Sequence, residues 1–226
     1  MIPIKDQIPT HRFPIMNYLL IAVNIIVFVL QWLSGPNQEA LVFQFALIPV
    51  NFLQSIGLAN IGDIFTSMFM HAGLAHIGGN MLYLWIFGDN VEDSMGSGKY
   101  LIFYLTGGIV ASLAHIFTNP MSQIPTVGAS GAIAAVLGAY LVLYPRSRVL
   151  TFIPLGFFMR LTTVPASIVL GLWFVLQLFN GVLTMGASDN MGGVAFWAHI
   201  GGFIAGVVLA KLFENKRNTA YETRWE

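Results

Sequence analysis

Apolar residues run along the chain in six long blocks, at residues 15–33, 71–88, 100–117, 126–144, 162–183 and 193–213. Each is close to the 20 or so residues that an α-helix needs to cross the hydrocarbon core of a bilayer. None holds Lys, Arg, Asp or Glu before Lys211, near the end of the last block. The polar breaks carry turn chemistry: Ser34-Gly35-Pro36, Asp89-Asn90, Gly96-Ser97-Gly98, Asn119-Pro120, Pro125, Pro145, Gly186 and Gly192-Gly193. The pattern predicts an all-α polytopic membrane protein of six transmembrane helices, read as a single domain over residues 1–226. The first block is too long for the roughly 7–15-residue core of a cleaved signal and has no A-x-A site after it, so it reads as a retained helix. Residues 34–70 mix apolar runs with Pro49, Gly57 and Asp63. They read as an outer loop lying partly in the membrane interface, with short amphipathic helices, because non-helical backbone at that depth must be buried against protein or face water.

Composition narrows the class. Hydrophobic residues make up 56% of the 226 and charged residues 9%, with net charge zero and mean hydropathy +0.74. An average soluble protein carries about 25% charged residues. Disorder, a soluble domain and a basic nucleic-acid footprint are excluded, so no nucleic acid is expected as a partner. With no Cys in the chain, disulfides, thiolate-held metals and thiol catalysis are excluded too.

Charge placement then sets orientation. With six spans and the N-terminus inside, the inner segments hold all ten basic residues: Lys5, Arg12, Lys99, Arg146, Arg148, Arg160, Lys211, Lys216, Arg217 and Arg224. The outer segments hold only Glu39, Asp63 and Asp189. The positive-inside rule therefore puts both termini in the cytoplasm.

Polar groups inside a membrane are costly and are functional suspects. Three clusters stand out. In His71-x-x-x-x-His76-x-x-x-Asn80, His76 and Asn80 share a helix face and His71 lies at the outer lip. Gly128-Ala129-Ser130-Gly131 opens the fourth block, and His199-Ile200-Gly201-Gly202 opens the sixth, where Gly202 and Gly206 make a G-x-x-x-G suited to close helix packing. Each cluster alone reads as well as packing or inter-helix hydrogen bonding. Together they differ, because the second, fourth and sixth blocks all run from outside to inside. His76, Ser130 and His199 then lie at one depth, roughly 6–9 Å below the outer edge at 1.5 Å per residue.

A serine needs a base to take its proton, and His199 can serve. With no carboxylate at that depth, a Ser130–His199 dyad is the economical reading, Asp189 being the only candidate acid partner. Asn80, His76 and the Ser130 N–H can serve as oxyanion donors, and Gly128 and Gly131 leave room for a carbonyl to approach. The reaction class is acyl transfer to water. An aspartyl mechanism lacks its two intramembrane carboxylates, and no H-E-x-x-H is present for zinc. No metal and no cofactor are expected.

These residues resemble the rhomboid family of intramembrane serine proteases, over about residues 12–213. The resemblance rests on His71-Ala72-Gly73-Leu74-Ala75-His76-Ile77-Gly78-Gly79-Asn80 with the run Met81 to Asp93, on Gly128-Ala129-Ser130-Gly131, and on Ala198-His199-Ile200-Gly201-Gly202. It implies a six-helix fold around a water-filled cavity open to the outside. Ser130 and His199 would form the dyad, and His76, Asn80 and the Ser130 N–H the oxyanion hole. Single-span or other transmembrane protein substrates would be cut in or beside the lipid bilayer. The fifth helix and residues 184–194 would form a gate and cap, with substrate entering between the second and fifth helices. Two positions depart from the family pattern: Gly62-Asp63 stands where many members have Trp-Arg, and Ala134 where some have an aromatic that stacks on the catalytic histidine. No transit peptide or large added domain is expected, and a bacterial or archaeal plasma membrane suits the compact form. Two other readings stay open at this point: a rhomboid-like module that holds transmembrane clients without cutting them, and a small transporter.

Overall fold

A computed structural model of the protein describes residues 1–55, 57–155, 158–184 and 194–215. The described helices are α1 (Ile15–Leu33), α2 (Gln38–Phe45), α3 (Pro49–Gln54), α4 (Leu58–Ser67), α5 (Leu74–Met95), α6 (Ser97–Thr118), α7 (Ser130–Leu143), α8 (Ala166–Leu183) and α9 (Phe196–Phe213). By length and composition, α1, α6, α8 and α9 can cross a membrane. α7 is apolar but has only 14 residues, and α5 has 22 but ends in a charged turn with Asp89, Glu92 and Asp93. The segment between α1 and α5 is folded into α2, α3 and α4, and Gly62 and Asp63 sit within α4.

The helices are turned inside out relative to a soluble bundle. α1 exposes Ile25, Ile26, Leu30 and Leu33, and α8 exposes Val175, Phe179 and Val182. By contrast α1 buries Asn17, Asn24 and Gln31, spaced at seven-residue intervals, two helical turns apart on one face. Asn17 Nδ2 donates to the Leu84 carbonyl and its Oδ1 accepts from the Tyr100 hydroxyl at 2.9 Å. Such pairs hold helices together where lipid offers apolar contacts no advantage. Glu92 accepts from the backbone N–H groups of Met16 and Asn17 at 3.1 and 2.7 Å, capping the start of α1 with a buried carboxylate.

α7 is the hub, with every residue from Gly131 to Tyr140 buried. Small residues let its neighbours come close. A Cβ on Gly202 would overlap the Gly131 carbonyl oxygen, one on Gly206 the Ala135 carbonyl oxygen, and one on Gly138 the Phe203 carbonyl oxygen. At 1.5 Å per residue α7 is about 21 Å long, against about 30 Å of hydrocarbon. A helix of that length falls short of spanning the full thickness.

The expectation of an all-α chain is corrected at the far end of α7. Strands β1 (Ile2–Asp6), β2 (Arg148–Leu155) and β3 (Phe158–Pro165) form an antiparallel sheet in the order β1-β2-β3. The block at 162–183 accordingly begins as a helix only at Ala166, because Thr162 to Pro165 belong to β3. The block at 71–88 continues as helix to Met95, and the blocks at 126–144 and 193–213 start later, at Ser130 and Phe196.

A hydrogen bond ties this sheet to α7: the Tyr140 hydroxyl donates to Asp6 Oδ2 at 2.7 Å. Burial pushes the Asp6 carboxyl up to about 6; the Asp89 carboxylate adds to the push, while Tyr140 and Lys5 oppose it. The folded state thus binds the proton more tightly than the unfolded one. The stabilising protonated form is fully present below the unfolded value of 3.8 and is lost as pH rises through 6. At 1.36 kcal/mol per pKa unit, the cost above pH 6 is roughly 2–3 kcal/mol. Asp6→Asn keeps an acceptor for Tyr140 and is expected to unfold at higher temperature than wild type at pH 8, with the gap closing toward pH 4. Parallel melting curves in detergent check this, and a gap independent of pH would refute it.

Candidate active site

The three polar clusters occupy equivalent places in their helices. His76 and Asn80 lie in the first two turns of α5, Ser130 is the first residue of α7, and His199 lies in the first turn of α9. The close α7–α9 packing described above brings the last two together: His199 Nε2 lies 2.8 Å from Ser130 Oγ. Both border a cavity of about 550 Å³, lined also by Met68, His76, Asn80 and Trp173.

The segment leading into Ser130 is fixed from several sides. Leu47 and Thr126 exchange backbone hydrogen bonds at 3.0 and 2.8 Å, and the Gly128 N–H donates to the Ser67 carbonyl at 2.8 Å. His115 Nε2 pairs with Thr126 Oγ1 at 3.0 Å. Gly128 has φ +126°, a conformation for which glycine is suited, and a Cβ there would come within 2.7 Å of the His76 ring. The tightness at Gly128 is thus against a side chain, whereas Gly131, Gly202 and Gly206 mark helix contacts. The first intrahelical backbone bond of α7 runs from Ile133 to Ala129, and among the described residues the Ser130 N–H has no partner, which leaves it a donor at the positive end of the helix dipole.

The donors opposite Ser130 are oriented by their own partners. His76 Nδ1 accepts from the Ala72 N–H at 3.4 Å, which leaves Nε2–H as its donor on the side of Gly128. Asn80 Nδ2 lies 3.0 Å from His71 Nε2, and His71 Nδ1 lies 3.3 Å from the Phe69 carbonyl. The carbonyl fixes the proton on His71 Nδ1, so Nε2 accepts from Asn80. His71 is itself held through its backbone by Gln31, which donates to its carbonyl at 2.6 Å and accepts from its N–H at 3.2 Å. His71, expected at the outer lip, is fully buried and stands behind Asn80.

Two contacts of His199 have no counterpart in the sequence reading. Its Nδ1 lies 2.8 Å from Gln177 Oε1, and its ring lies 5.8 Å from that of Trp173 with a 36° tilt. Both partners are on α8. Ala134, the position of the aromatic in some family members, is fully buried, and a Cβ on Gly202 would meet its Cβ at 3.3 Å. A ring there would hold α9 away. The signal for Gln177 was present as one of two side-chain amides in an otherwise apolar helix. Asp189 and residues 185–193 of the expected cap lie outside the described residues.

A polytopic helical membrane protein with a serine, a histidine and two further polar side chains around one internal cavity defines the class. The sequence matches the family described as "Rhomboid domain" over residues 59–216, and the chain belongs to the rhomboid family. It is 34% identical over 199 residues to rhomboid protease GluP of Bacillus subtilis (strain 168), covering 87% of this chain and 34% of that protein. It is 27% identical over 218 residues to the mitochondrial rhomboid protein 1 of Saccharomyces cerevisiae, covering 92% and 58%. It is 25% identical over 201 residues to the human mitochondrial presenilin-associated rhomboid-like protein, covering 83% and 45%. The chain thus spans between about a third and somewhat over half the length of these relatives.

Proposed function

We propose that the chain is an intramembrane serine endopeptidase that hydrolyses peptide bonds in or next to transmembrane helices of other membrane proteins. The single observation that carries this is the 2.8 Å approach of His199 Nε2 to Ser130 Oγ beside a cavity. In the reaction, the Ser130 hydroxyl proton passes to His199 Nε2 as Oγ bonds to the scissile carbonyl carbon. The developing oxyanion is held by the Ser130 N–H, His76 and Asn80. The C–N bond then breaks, His199 returns the proton to the leaving amine, and an acyl-enzyme remains on Ser130. Water repeats the sequence, its proton going to His199, and releases the acid and the free serine.

The six spans in this reading are α1, α5, α6, α7, α8 and α9, in one domain with both termini in the cytoplasm. The sheet of β1, β2 and β3 then lies on the cytoplasmic side and the cavity opens to the other, in keeping with the ten-to-zero placement of basic residues. A bacterial or archaeal plasma membrane is the proposed location, although some relatives are named as mitochondrial.

The test is cleavage of a single-span reporter protein by the purified full chain, with His199→Ala beside it. Cutting by wild type and none by the variant is expected, and equal cutting by both would refute the reading. Asn80→Ala removes one oxyanion donor and is expected to lower kcat by roughly 10²–10³ with little change in KM. A change confined to KM would place Asn80 outside the oxyanion hole.

A further inference from the structure

α8 carries two side-chain amides in an otherwise apolar helix, Gln177 and Asn180. A polar group in a spanning helix costs free energy unless it finds a partner. Asn180 Nδ2 finds one within its own helix, the Leu176 carbonyl at 2.8 Å. Gln177 reaches across to α9 instead, where its Oε1 lies 2.8 Å from His199 Nδ1.

That contact has a chemical consequence. An amide oxygen only accepts, so the proton of a neutral His199 sits on Nδ1. The lone pair is then on Nε2, the nitrogen 2.8 Å from Ser130 Oγ. In the other tautomer Nε2 carries the proton, donates to the serine and has no means of taking its proton. Which ring nitrogen is protonated is set by the bond the other one makes. Trp173, four residues before Gln177 and so on the same face of α8, leans on the ring at 5.8 Å. One helix therefore supplies both the tautomer and the ring plane. A carboxylate would set the same tautomer, but its charge is costly within a spanning helix. A neutral amide avoids that cost.

Resting on the Ser130–His199 reading above, we propose that Gln177 is a positioning residue for the protease reaction: it holds His199 with Nδ1 protonated and Nε2 free to accept the serine proton. It touches neither substrate nor the reacting atoms.

The test compares wild type, Gln177→Leu, Gln177→Glu and Ser130→Ala, each as the full chain in phospholipid nanodiscs. Readouts are the rate of fluorophosphonate labelling, kcat and KM on the reporter substrate. Gln177→Leu is expected to lose about tenfold or more in labelling rate and kcat with KM nearly unchanged, a part of the roughly 10²–10⁴ that a general base contributes. Gln177→Glu, which keeps an acceptor-only oxygen pair once ionised, is expected to return to within about threefold of wild type as pH rises through the titration of its carboxyl, because the ionised form selects the same tautomer. In wild type labelled with ¹⁵N-histidine, the His199 signal, assigned by its loss in His199→Ala, should be that of the Nδ1-protonated ring. Wild-type kinetics in Gln177→Leu would overturn the proposal while leaving the dyad standing. So would a wild-type His199 protonated on Nε2, a measurement that needs no variant of Gln177 to fold. Absence of labelling at Ser130 in wild type would instead be the failure of the dyad reading, and the proposal would fall with it.

Discussion

Ser130→Ala is expected to lose all detectable cleavage of a transmembrane reporter while keeping the wild-type melting temperature to within a few degrees. The loss should exceed about 10³-fold, since the remaining oxyanion donors and binding cannot replace a covalent route. The substitution removes one oxygen at the edge of a cavity and leaves the α7 backbone contacts untouched, so folding has no reason to change. Reporter cleavage and a thermal melt on the same preparation check both halves. Cleavage at more than about a tenth of the wild-type rate would mean that another group carries the nucleophilic step.

Gly202→Leu is expected to be the most damaging substitution away from the chemistry. A Cβ at Gly202 meets the carbonyl oxygen and carbon of Gly131, and the backbone of a buried helix cannot swing aside as a flexible side chain can. The α7–α9 pair must separate, which costs about 3 kcal/mol or more by the usual scale of overpacking. The same separation pulls His199, one turn away, off Ser130. Both melting temperature and activity should therefore fall together. Gly171→Ala on α8, where an added Cβ meets nothing within 4 Å, is the control, expected to be neutral or slightly stabilising. A Gly202→Leu protein that folds and cuts like wild type would contradict the close crossing of α7 and α9.

How much of this was readable in advance differs by element. α1 coincides with its apolar block, residues 15–33, because a lipid-facing helix advertises itself by hydropathy alone. α5 does not stop where its apolar block ends. Its charged turn continues as helix because Asp89, Glu92 and Asp93 take donors from the chain before and at the start of α1, contacts invisible to a local pattern. The sheet was missed for a related reason. The run 161–165, Leu-Thr-Thr-Val-Pro, is uncharged and rich in β-branched residues, and hydropathy does not separate a short strand from the start of a spanning helix. Gly156 between two apolar runs was the available hairpin signal.

The site divides in the same way. Ser130, His199, His76 and Asn80 were legible because a polar side chain at a helix start is conspicuous in an apolar chain. Their supporting residues were not. Gln31, Gln177 and Trp173 reach from one helix to another segment, and their partners lie 22 or more residues away in sequence. His71 to Asn80 is the one shorter link, at nine residues, and it was read as one motif without seeing which member holds the other.

The most direct test of the central claim, that Ser130 is a nucleophile activated by His199, is fluorophosphonate labelling of the wild-type chain with the modified residue located by peptide mass spectrometry. A single adduct on Ser130 is expected, and none in His199→Ala even though the serine is still present. An adduct elsewhere, or undiminished labelling of Ser130 without His199, would contradict it.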